Sequence, residues 1–436
     1  MSIESERRHH HHHPASEATK HTTSSNGPNN IAYAHSLYKP DRSSNNLLHK
    51  EEDLARYYKG DHHPVNIGDV FEGEHGRYKV VRKLGRGGFS LVWLVFKTVV
   101  AASATGPSRE LEMLDMLKDT PGIVNTVETF TYKSSNGIHI CIVQELLGPS
   151  IARALARNPP FDPYLRLEPT TTLRMAKELL TMLVGLHARE IVHGDISAGN
   201  VALTVKELQG LNETRVNQFL GEPYFWPLER VDGKPLGAGL PKHTVKKVRW
   251  EIWESEHTER NHLRLLDFGE SFFEARPPRE IGEPRQLKVP ETIFKTDRPL
   301  DHRLDLWRAG CVIYFMVFGR YSFTETTPDA ALVHQMIHFV EDLPSQWQPQ
   351  WEKLKRQDPS GYSSADVKPR RSKLAEQFLT VFASPSEDDD EDEWSDYCRL
   401  KKLQPVIEGL VRFRPADRIG AQVALNMVNR IISDAY

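Results

Sequence analysis

Cysteine is scarce in this sequence, since the 436 residues include only Cys141, Cys311 and Cys398. Three cysteines so far apart can form neither a disulfide framework nor a closely spaced metal-binding pair. Chains of this size with so few cysteines are typical of reducing compartments. We therefore expect the protein to act inside the cell, without structural disulfides.

Long hydrophobic runs are also absent. The longest apolar stretch, residues 309–318, is much shorter than the ~20 residues that a membrane-spanning helix needs. The first thirty residues contain no apolar segment of the kind that a secretory signal requires. These absences predict a soluble, intracellular protein with no membrane partner.

Neither sign of charge is in large excess. The 56 lysines and arginines and the 59 aspartates and glutamates give a formal net charge of −3. The chain therefore generates no overall positive field for nucleic-acid phosphates, and we expect no direct nucleic-acid partner. Its 39% hydrophobic and 26% charged residues indicate a soluble globular protein.

The first part of the chain divides into regions of different pattern. Residues 1–50 are rich in Ser, Asn, His and Pro and hold few large apolar side chains, which predicts a disordered leader. Residues 78–95 alternate apolar and polar positions around a glycine turn, as paired strands do. Residues 109–117 carry leucines at helical spacing, and residues 138–146 return to a strand-like run. These patterns predict a small sheet with one helix.

Beyond Thr170 the dominant period is helical. An apolar stripe predicts an amphipathic helix that ends near His187, and residues 304–318, apolar on nearly all sides, predict a buried central helix. The segment 208–260 has little period and indicates an insertion. A second irregular segment, about 346–396, includes an acidic run at 387–393, which is either merely solvated or attracts basic substrates.

Three short motifs carry residue types suited to phosphate chemistry. Residues 84–90 lie between two strands, and their glycines either close over a polyphosphate or form a tight hairpin turn. In the second motif Asp195 can accept a hydroxyl proton while Asn200 binds a metal. In the third, Asp267 ends an apolar strand before Phe-Gly and can ligate a divalent cation. Each of the last two is an ordinary turn when taken alone, but their order along the chain argues against coincidence.

In this order the motifs resemble those of eukaryotic protein kinases, over residues 60–435. Glu110 resembles the glutamate of the helix in the N-terminal lobe. Glu291, in Val-Pro-Glu, stands where the family has Ala-Pro-Glu, and Arg418 is placed to pair with it. The lead-in at residues 61–78 is similar to that of SR-protein kinases, which phosphorylate serines in Arg/Ser-rich splicing factors.

The resemblance implies an α+β, bilobal protein-kinase fold. Residues 51–148 would form the N-terminal lobe and hinge, a small β-sheet with one helix. Residues 149–435 would form a larger, mainly helical C-terminal lobe that carries the insertion. The same resemblance implies a serine/threonine kinase that uses ATP and Mg²⁺, acts on Arg/Ser-rich proteins and is cytoplasmic and nuclear.

The resemblance also assigns a role to each site residue. Asp195 orients the substrate hydroxyl, and Asn200 and Asp267 hold Mg²⁺. Lys97 and Glu110 complete the catalytic set by positioning ATP. The nucleotide-binding residues that it implies are Leu84, Gly85, Gly87, Ser90, Lys97, Glu145 and Leu147.

Three departures from the family pattern leave two hypotheses open. Lys97 follows Ser90 too closely for two strands of ~5 residues and their turn to place the lysine in the second strand. Either the hairpin is truncated or the chain lacks a segment that relatives have, and Lys97 is either the ATP-positioning lysine or a surface lysine. Gly194 stands where the family has arginine, and Ser197 where it has lysine. The chain is then either a working kinase without a phosphorylation switch, with reduced turnover, or a pseudokinase that binds partners and uses ATP poorly.

Overall fold

The computed structural model describes residues 37–39, 51, 53–86, 90–95, 98–103, 109–155, 167–208, 210–248, 250, 260–296, 298–324, 328–357, 374–382 and 397–434. These residues form an N-terminal lobe built on one sheet and a C-terminal lobe built mainly from helices. The architecture is therefore α+β, as the sequence predicts.

One antiparallel sheet forms the N-terminal lobe. Its strands are β1 (Val70–Glu72), β2 (Arg77–Arg86), β3 (Ser90–Val95), β4 (Thr98–Ser103), β5 (Thr126–Ser134) and β6 (Gly137–Gln144), in the order β1-β2-β3-β4-β6-β5. Helix α1 (Arg109–Met116) connects β4 to β5 and buries Met113 and Leu114. The predicted sheet with one helix is confirmed.

The hairpin of β3 and β4 is longer than the truncated hairpin that the position of Lys97 suggested. Val95 pairs with Thr98, and the ladder continues without a break to Ser90 and Ser103. The hairpin is thus not truncated, because residues 98–103 serve as its second strand. Lys97 falls between the two strands and lies outside the described residues.

The C-terminal lobe begins with β7 (Leu147–Ser150), α2 (Ile151–Leu155) and α3 (Pro169–His187). It continues with β8 (Ile191–Val192), β9 (Val201–Thr204), α4 (Glu213–Leu220), β10 (Phe225–Pro227), β11 (His243–Val245), β12 (Leu263–Leu265), β13 (Phe272–Phe273) and α5 (Pro290–Ile293). The remaining helices are α6 (Arg303–Phe318), α7 (Asp329–Phe339), α8 (Gln348–Gln357), α9 (Leu374–Val381), α10 (Gln404–Leu410) and α11 (Ala421–Ser433). Short strands β7, β9 and β12 form one small sheet, and β8 pairs with β13.

Helix α6 is the centre of the C-terminal lobe. Every residue from Leu304 to Phe318 is buried, and Gly319 ends the helix in the left-handed region at φ 65°. A helix that is apolar on all sides must be surrounded by other elements to remove that surface from water. The predicted central helix is confirmed. Within the described part of the chain, no helix combines the length and apolarity needed to cross a membrane.

The insertion packs on the N-terminal lobe. It contributes α4 and the β10–β11 hairpin, and Leu228 and Val245 are buried in one cluster with Val80 and Trp93 of the sheet. The backbone N–H of Val248 also donates to the carbonyl of Lys83 in β2 at 2.9 Å. The lack of periodicity predicted an insertion here, but it did not predict that the insertion packs on the sheet.

Two segments differ from the sequence expectations. Within the predicted disordered leader, Tyr38 is buried and forms an antiparallel bridge with Arg230 of the insertion. Within the segment read as irregular, residues 348–357 and 374–381 form α8 and α9, where Trp351 and Phe378 supply the buried contacts. The acidic run at 387–393 lies outside the described residues.

A buried histidine makes the stability of the N-terminal lobe depend on pH. The ring of His63 packs against Tyr132 and His139, at 4.8 and 5.2 Å between centroids. Burial, aided by the nearby His139, lowers the pKa of His63 to about 4. The unfolded chain therefore binds a proton that the folded chain excludes, and stability is lost as pH falls from ~6.5 toward 4.

We expect His63→Phe to remove part of this loss. At pH 5 the variant should gain about 2 kcal/mol of unfolding free energy relative to the parent protein, with little difference at pH 7.5. Urea unfolding at both pH values measures the effect. If parent and variant lose the same stability between pH 7.5 and 5, the proton linkage does not reside in His63.

Candidate active site

Asp305 in the first turn of α6 fixes the loop between β8 and β9. Its two carboxylate oxygens accept the backbone N–H groups of His193 at 2.8 Å and Gly194 at 3.0 Å. The His187 ring lies 3.2 Å from the same carboxylate. Because Asp305 is completely buried, these bonds have no competition from water. The loop that carries Asp195 is thus attached to the central helix.

His193 connects this loop to the end of β12. Its Nε2 lies 3.2 Å from the carbonyl oxygen of Leu266, and its Nδ1 accepts the N–H of Asp195 at 3.1 Å. These partners require the neutral tautomer with hydrogen on Nε2, and burial lowers the pKa of His193 accordingly. The ring packs edge-on against the buried Phe268, 4.7 Å between centroids.

Asp195 and Asn200 contact each other directly. The Asn200 amide donates to Oδ2 of Asp195 at 2.7 Å and to the Asp195 carbonyl at 2.9 Å. Burial raises the pKa of Asp195 to about 6, and Asp267 adds to the rise, while Arg308 and Asn200 oppose it. A carboxylate with a raised pKa is a better proton acceptor than an ordinary aspartate. Asp195 therefore has the properties of a general base.

Asp267 follows β12 with φ at 64°, in the left-handed region. This bend lets Phe268 enter the core while the Asp267 side chain stays exposed. Its only described hydrogen bond is a long one, 3.4 Å from the N–H of Gly269. Asp267 is close enough to raise the pKa of both Asp195 and Glu110. The structure therefore brings Asp267 close to Asp195 and Glu110, which are far from it in the sequence.

Glu110 lies in the first turn of α1 and faces Asp267. Burial, followed by repulsion from Asp267, raises the pKa of Glu110 to about 7. No lysine or arginine of the described segments forms an ion pair with it. Strand β4, which pairs with β6 next to the hinge, has the sequence TVVAAS and contains no cationic residue. The lysine–glutamate pair that the resemblance implies has no second member in this strand.

The glycine loop is described on both sides of its tip. Leu84 and Gly85 lie in β2, where Gly85 pairs with Val92, and Ser90 begins β3. Gly87, like Lys97, lies outside the described residues. The placement of the loop between two paired strands matches the sequence expectation, and the contacts of its tip stay a prediction.

The hinge residues connect the two lobes. The N–H of Glu145 donates to the Asn125 carbonyl at 2.9 Å, and its side chain lies 3.1 Å from Nε of Arg264 in β12. Leu147 begins β7 and pairs with Thr204 of β9. Both residues therefore lie where the chain passes from β6 of one sheet to β7 of the other, and their contact with adenine stays a prediction.

Gly194 shows why the family arginine is absent from this loop. Its φ is 78°, and a Cβ built on it would lie 2.3 Å from the carbonyl oxygen of Glu270. Any side chain would strain the backbone and collide with a backbone atom. Ser197, the other departure, packs locally, because its hydroxyl accepts the N–H of Asn200 at 3.2 Å.

Arg308 is a site residue that the sequence reasoning missed. Its guanidinium is completely buried, donates to the carbonyl oxygen of Gly194 and lies 3.8 Å from Oδ1 of Asp195. The available signal was an arginine inside the apolar stretch 304–318, where an unpaired charge is too costly to bury. The predicted pair of Arg418 and Glu291 is confirmed, with two bonds of 2.7 and 2.6 Å.

The donor set fits a magnesium ion. Asn200 uses its Nδ2 to bond Asp195, which leaves Oδ1 without a described partner, and Asp267 presents an exposed carboxylate. Mg²⁺ prefers such oxygens and is commonly held by one or two protein groups together with substrate phosphates. Accordingly, the described residues contain no cluster of three His, Cys, Asp or Glu side chains able to hold a metal alone.

Comparisons with known proteins show which kinases the chain resembles. No protein-family model matches the chain. Human SRSF protein kinase 3 is 33% identical over 176 residues, which are 36% of this chain and 30% of that protein. The serine/threonine-protein kinase SRPK of Physarum polycephalum is 23% identical over 62% of this chain and 66% of its own length. The kinase AFC1 of Arabidopsis thaliana is 25% identical over 84% and 73%, respectively.

The chain is therefore similar to SR-protein kinases and related kinases. Its fold is the bilobal protein-kinase fold, with the sheet of β1 to β6 as one lobe and the helices around α6 as the other. The chain spans less than a third of the length of the human relative. The similarity shows which kinases the chain resembles, and the activity has to be argued from the site.

Proposed function

We propose that this protein transfers the γ-phosphoryl group of ATP to serine or threonine hydroxyls of proteins. One observation carries the proposal: Asp195, Asn200 and Asp267 converge at one end of the β9–β12 pair. Two carboxylates and an amide oxygen in this arrangement can hold a metal–phosphate complex and accept a proton beside it.

The residues divide the work of the transfer. Mg²⁺ bound with ATP would neutralise phosphate charge, and Asp267 and Asn200 are the groups that would hold it. Asp195 orients the substrate hydroxyl and takes its proton. The serine oxygen then forms a bond to the γ-phosphorus while the bond from that phosphorus to the bridging oxygen breaks, leaving ADP. Asn200 keeps Asp195 in place through its amide.

The substrate class we propose is Arg/Ser-rich protein segments. The relatives support it, since they include proteins named SRSF protein kinase 3 and SRPK. A cytoplasmic and nuclear location, which the resemblance implies, is part of the same proposal. The acidic run 387–393 remains a candidate for attracting arginine side chains to the C-terminal lobe.

Labelled phosphate transfer tests both levels of the proposal. The full chain is incubated with γ-labelled ATP, Mg²⁺ and one of three peptides of equal length: Arg/Ser, Lys/Ser or Arg/Ala repeats. We expect strong labelling of Arg/Ser, weaker labelling of Lys/Ser and none of Arg/Ala. Equal labelling of the two serine peptides would reject the arginine preference. Absence of labelling of every peptide would reject the kinase activity.

A second candidate function is a pseudokinase that binds partners without efficient use of ATP. The observation that favours it is the half-buried Glu110, which has no cation from β4 to pair with. Thermal shift separates the two candidates, because a working kinase must bind Mg-ATP and be stabilised by it. We expect a rise in melting temperature with Mg-ATP for the kinase and none for the pseudokinase.

Lys97 has a testable role of its own. If it turns from the β3–β4 connection toward the phosphates, Lys97→Met should lower kcat/KM for ATP by at least tenfold, because one charge-assisted phosphate contact is lost. The matched control is Lys79→Met, in the neighbouring strand β2, whose ammonium pairs with Glu213 at 2.8 Å on the surface. Equal kinetics of parent and Lys97→Met would show that ATP is positioned without this lysine.

A further inference from the structure

A buried ion pair joins the catalytic loop, which is the loop between β8 and β9 that carries Asp195, to the segment before α5. The Arg308 guanidinium donates through Nη2 to Oε1 of Glu283 at 2.9 Å, and their side chains are 0% and 7% exposed. The same guanidinium donates through Nη1 to the Gly194 carbonyl and through Nε to the Leu287 carbonyl at 3.3 Å. One side chain thus connects three parts of the chain at the centre of the site.

Glu283 extends this connection to α5. Its Oε1 also accepts the N–H of Val289 at 3.1 Å, and its Oε2 accepts the hydroxyl of Thr292 at 2.6 Å. These two residues flank Glu291, whose carboxylate is anchored by Arg418. The carboxylate of Glu283 therefore couples the catalytic loop to the start of α5 through direct bonds.

The geometry explains why the cation comes from α6. Gly194 cannot carry a side chain, because of its φ and the nearby Glu270 carbonyl. Arg308 lies three residues after Asp305 on α6, so both side chains reach the same loop from the same helix face. Asp305 accepts hydrogen bonds from the loop N–H groups, and Arg308 donates one to the loop carbonyl. The helix supplies the positive charge that position 194 cannot.

We propose that Glu283 and Arg308 are positioning residues that hold the catalytic loop and residues 283–293 in register, with α6 supplying the guanidinium in place of a side chain at position 194. In many kinases a phosphorylated residue of the activation segment pairs with arginine and orders that segment. Here the encoded carboxylate of Glu283 supplies this negative charge permanently. The expected effect of Glu283 on turnover rests on the proposed kinase function, whereas its expected effect on the order of residues 283–293 does not.

The test compares Glu283→Gln with a matched variant, Glu341→Gln. Glu341 also accepts a guanidinium, that of Arg412 at 2.5 Å, and a backbone N–H, that of Phe413 at 3.2 Å, but it lies away from the catalytic loop. We expect Glu283→Gln to lower kcat at least tenfold with KM for ATP within twofold, and Glu341→Gln to change neither beyond twofold. Phosphatase treatment, checked by intact mass, should leave the parent kcat unchanged.

Hydrogen exchange provides a readout that does not depend on activity. Amides of residues 283–293 should exchange at least tenfold faster in Glu283→Gln than in the parent or in Glu341→Gln. If parent kcat falls after phosphatase treatment, or if Glu283→Gln matches the parent in both kcat and exchange, the proposal is wrong. If the parent protein transfers no phosphate, the proposed function is wrong. Hydrogen exchange would still test whether Glu283 orders residues 283–293.

A double variant separates positioning from stability. Replacing a buried ion pair by apolar residues is often neutral for stability, whereas removing one partner is costly. We expect Arg308→Met to lower the melting temperature and Arg308→Met/Glu283→Met to recover it. The double variant should still show kcat at least tenfold below the parent, because the bond to the Gly194 carbonyl is absent. Recovery of both stability and kcat would show a purely structural pair and overturn the proposal.

Discussion

Asp195→Asn should lower phosphoryl transfer by about 10²–10⁴ in kcat, because the substrate hydroxyl loses its proton acceptor. Asparagine keeps nearly the same shape, and its Oδ1 can still accept the bond that Asn200 donates to Asp195 at 2.7 Å. The loop should therefore remain folded, held by the bonds from His193 and Gly194 to Asp305. The measurement is labelled transfer to an Arg/Ser peptide at saturating ATP.

Two controls make this result specific to the chemistry. Asp232→Asn, in the exposed pair with Arg230 of the insertion, should leave kcat within twofold of the parent. The melting temperature of Asp195→Asn should rise with Mg-ATP as much as that of the parent, since Asp267 is unchanged. A transfer rate that survives the substitution would remove Asp195 from the reaction and would contradict the site assignment.

Arg418→Met should destabilise the protein by about 3–5 kcal/mol, which is the usual cost of leaving one member of a buried ion pair unpaired. The guanidinium makes two bonds to Glu291 and further bonds to the carbonyls of Arg303 and Arg412. The Glu291 side chain is 7% exposed, so its carboxylate would stay buried without a partner. Urea unfolding at pH 7 measures the change.

An exposed pair supplies the matched control for this second prediction. Lys402 and Asp434 lie 3.4 Å apart with side chains 51% and 62% exposed. Lys402→Met should change the unfolding free energy by less than about 1 kcal/mol, because water screens such pairs. Similar losses in the two variants would mean that burial does not determine the contribution of the Arg418 pair.

The sequence predicted that the residues of the candidate site lie together, because each motif combines residue type with a fixed local spacing. Asp195 and Asn200 are five residues apart and bond directly, and Asp267 follows an apolar strand as its motif requires. The distant pair of Glu291 and Arg418 was also predicted, since each belongs to a recognised motif. A motif combines residue identity with local backbone geometry, so its chemistry can be read without the fold.

Other features depend on contacts that leave no local pattern. The insertion was recognised by its lack of periodicity, yet its packing on the sheet through Leu228 and Val245 comes from a few apolar residues that belong to no regular stripe. The leader was expected to be disordered on composition, but Tyr38 finds a pairing partner in that insertion. The position of Lys97 was judged from strand length alone, whereas the ladder of β3 and β4 runs from residue 90 to residue 103.

By itself, the sequence determined the order of the three motifs and the buried central helix, because both are encoded in residue type at fixed spacing. Tertiary structure alone decided which cation serves the catalytic loop. Position 194 is closed to any side chain by its backbone angle and by the Glu270 carbonyl, and neither is visible in a string of residues. Arg308 lies 114 positions after Gly194 in the sequence, yet its guanidinium donates to the Gly194 carbonyl. Only a folded core brings residues so distant in the chain together.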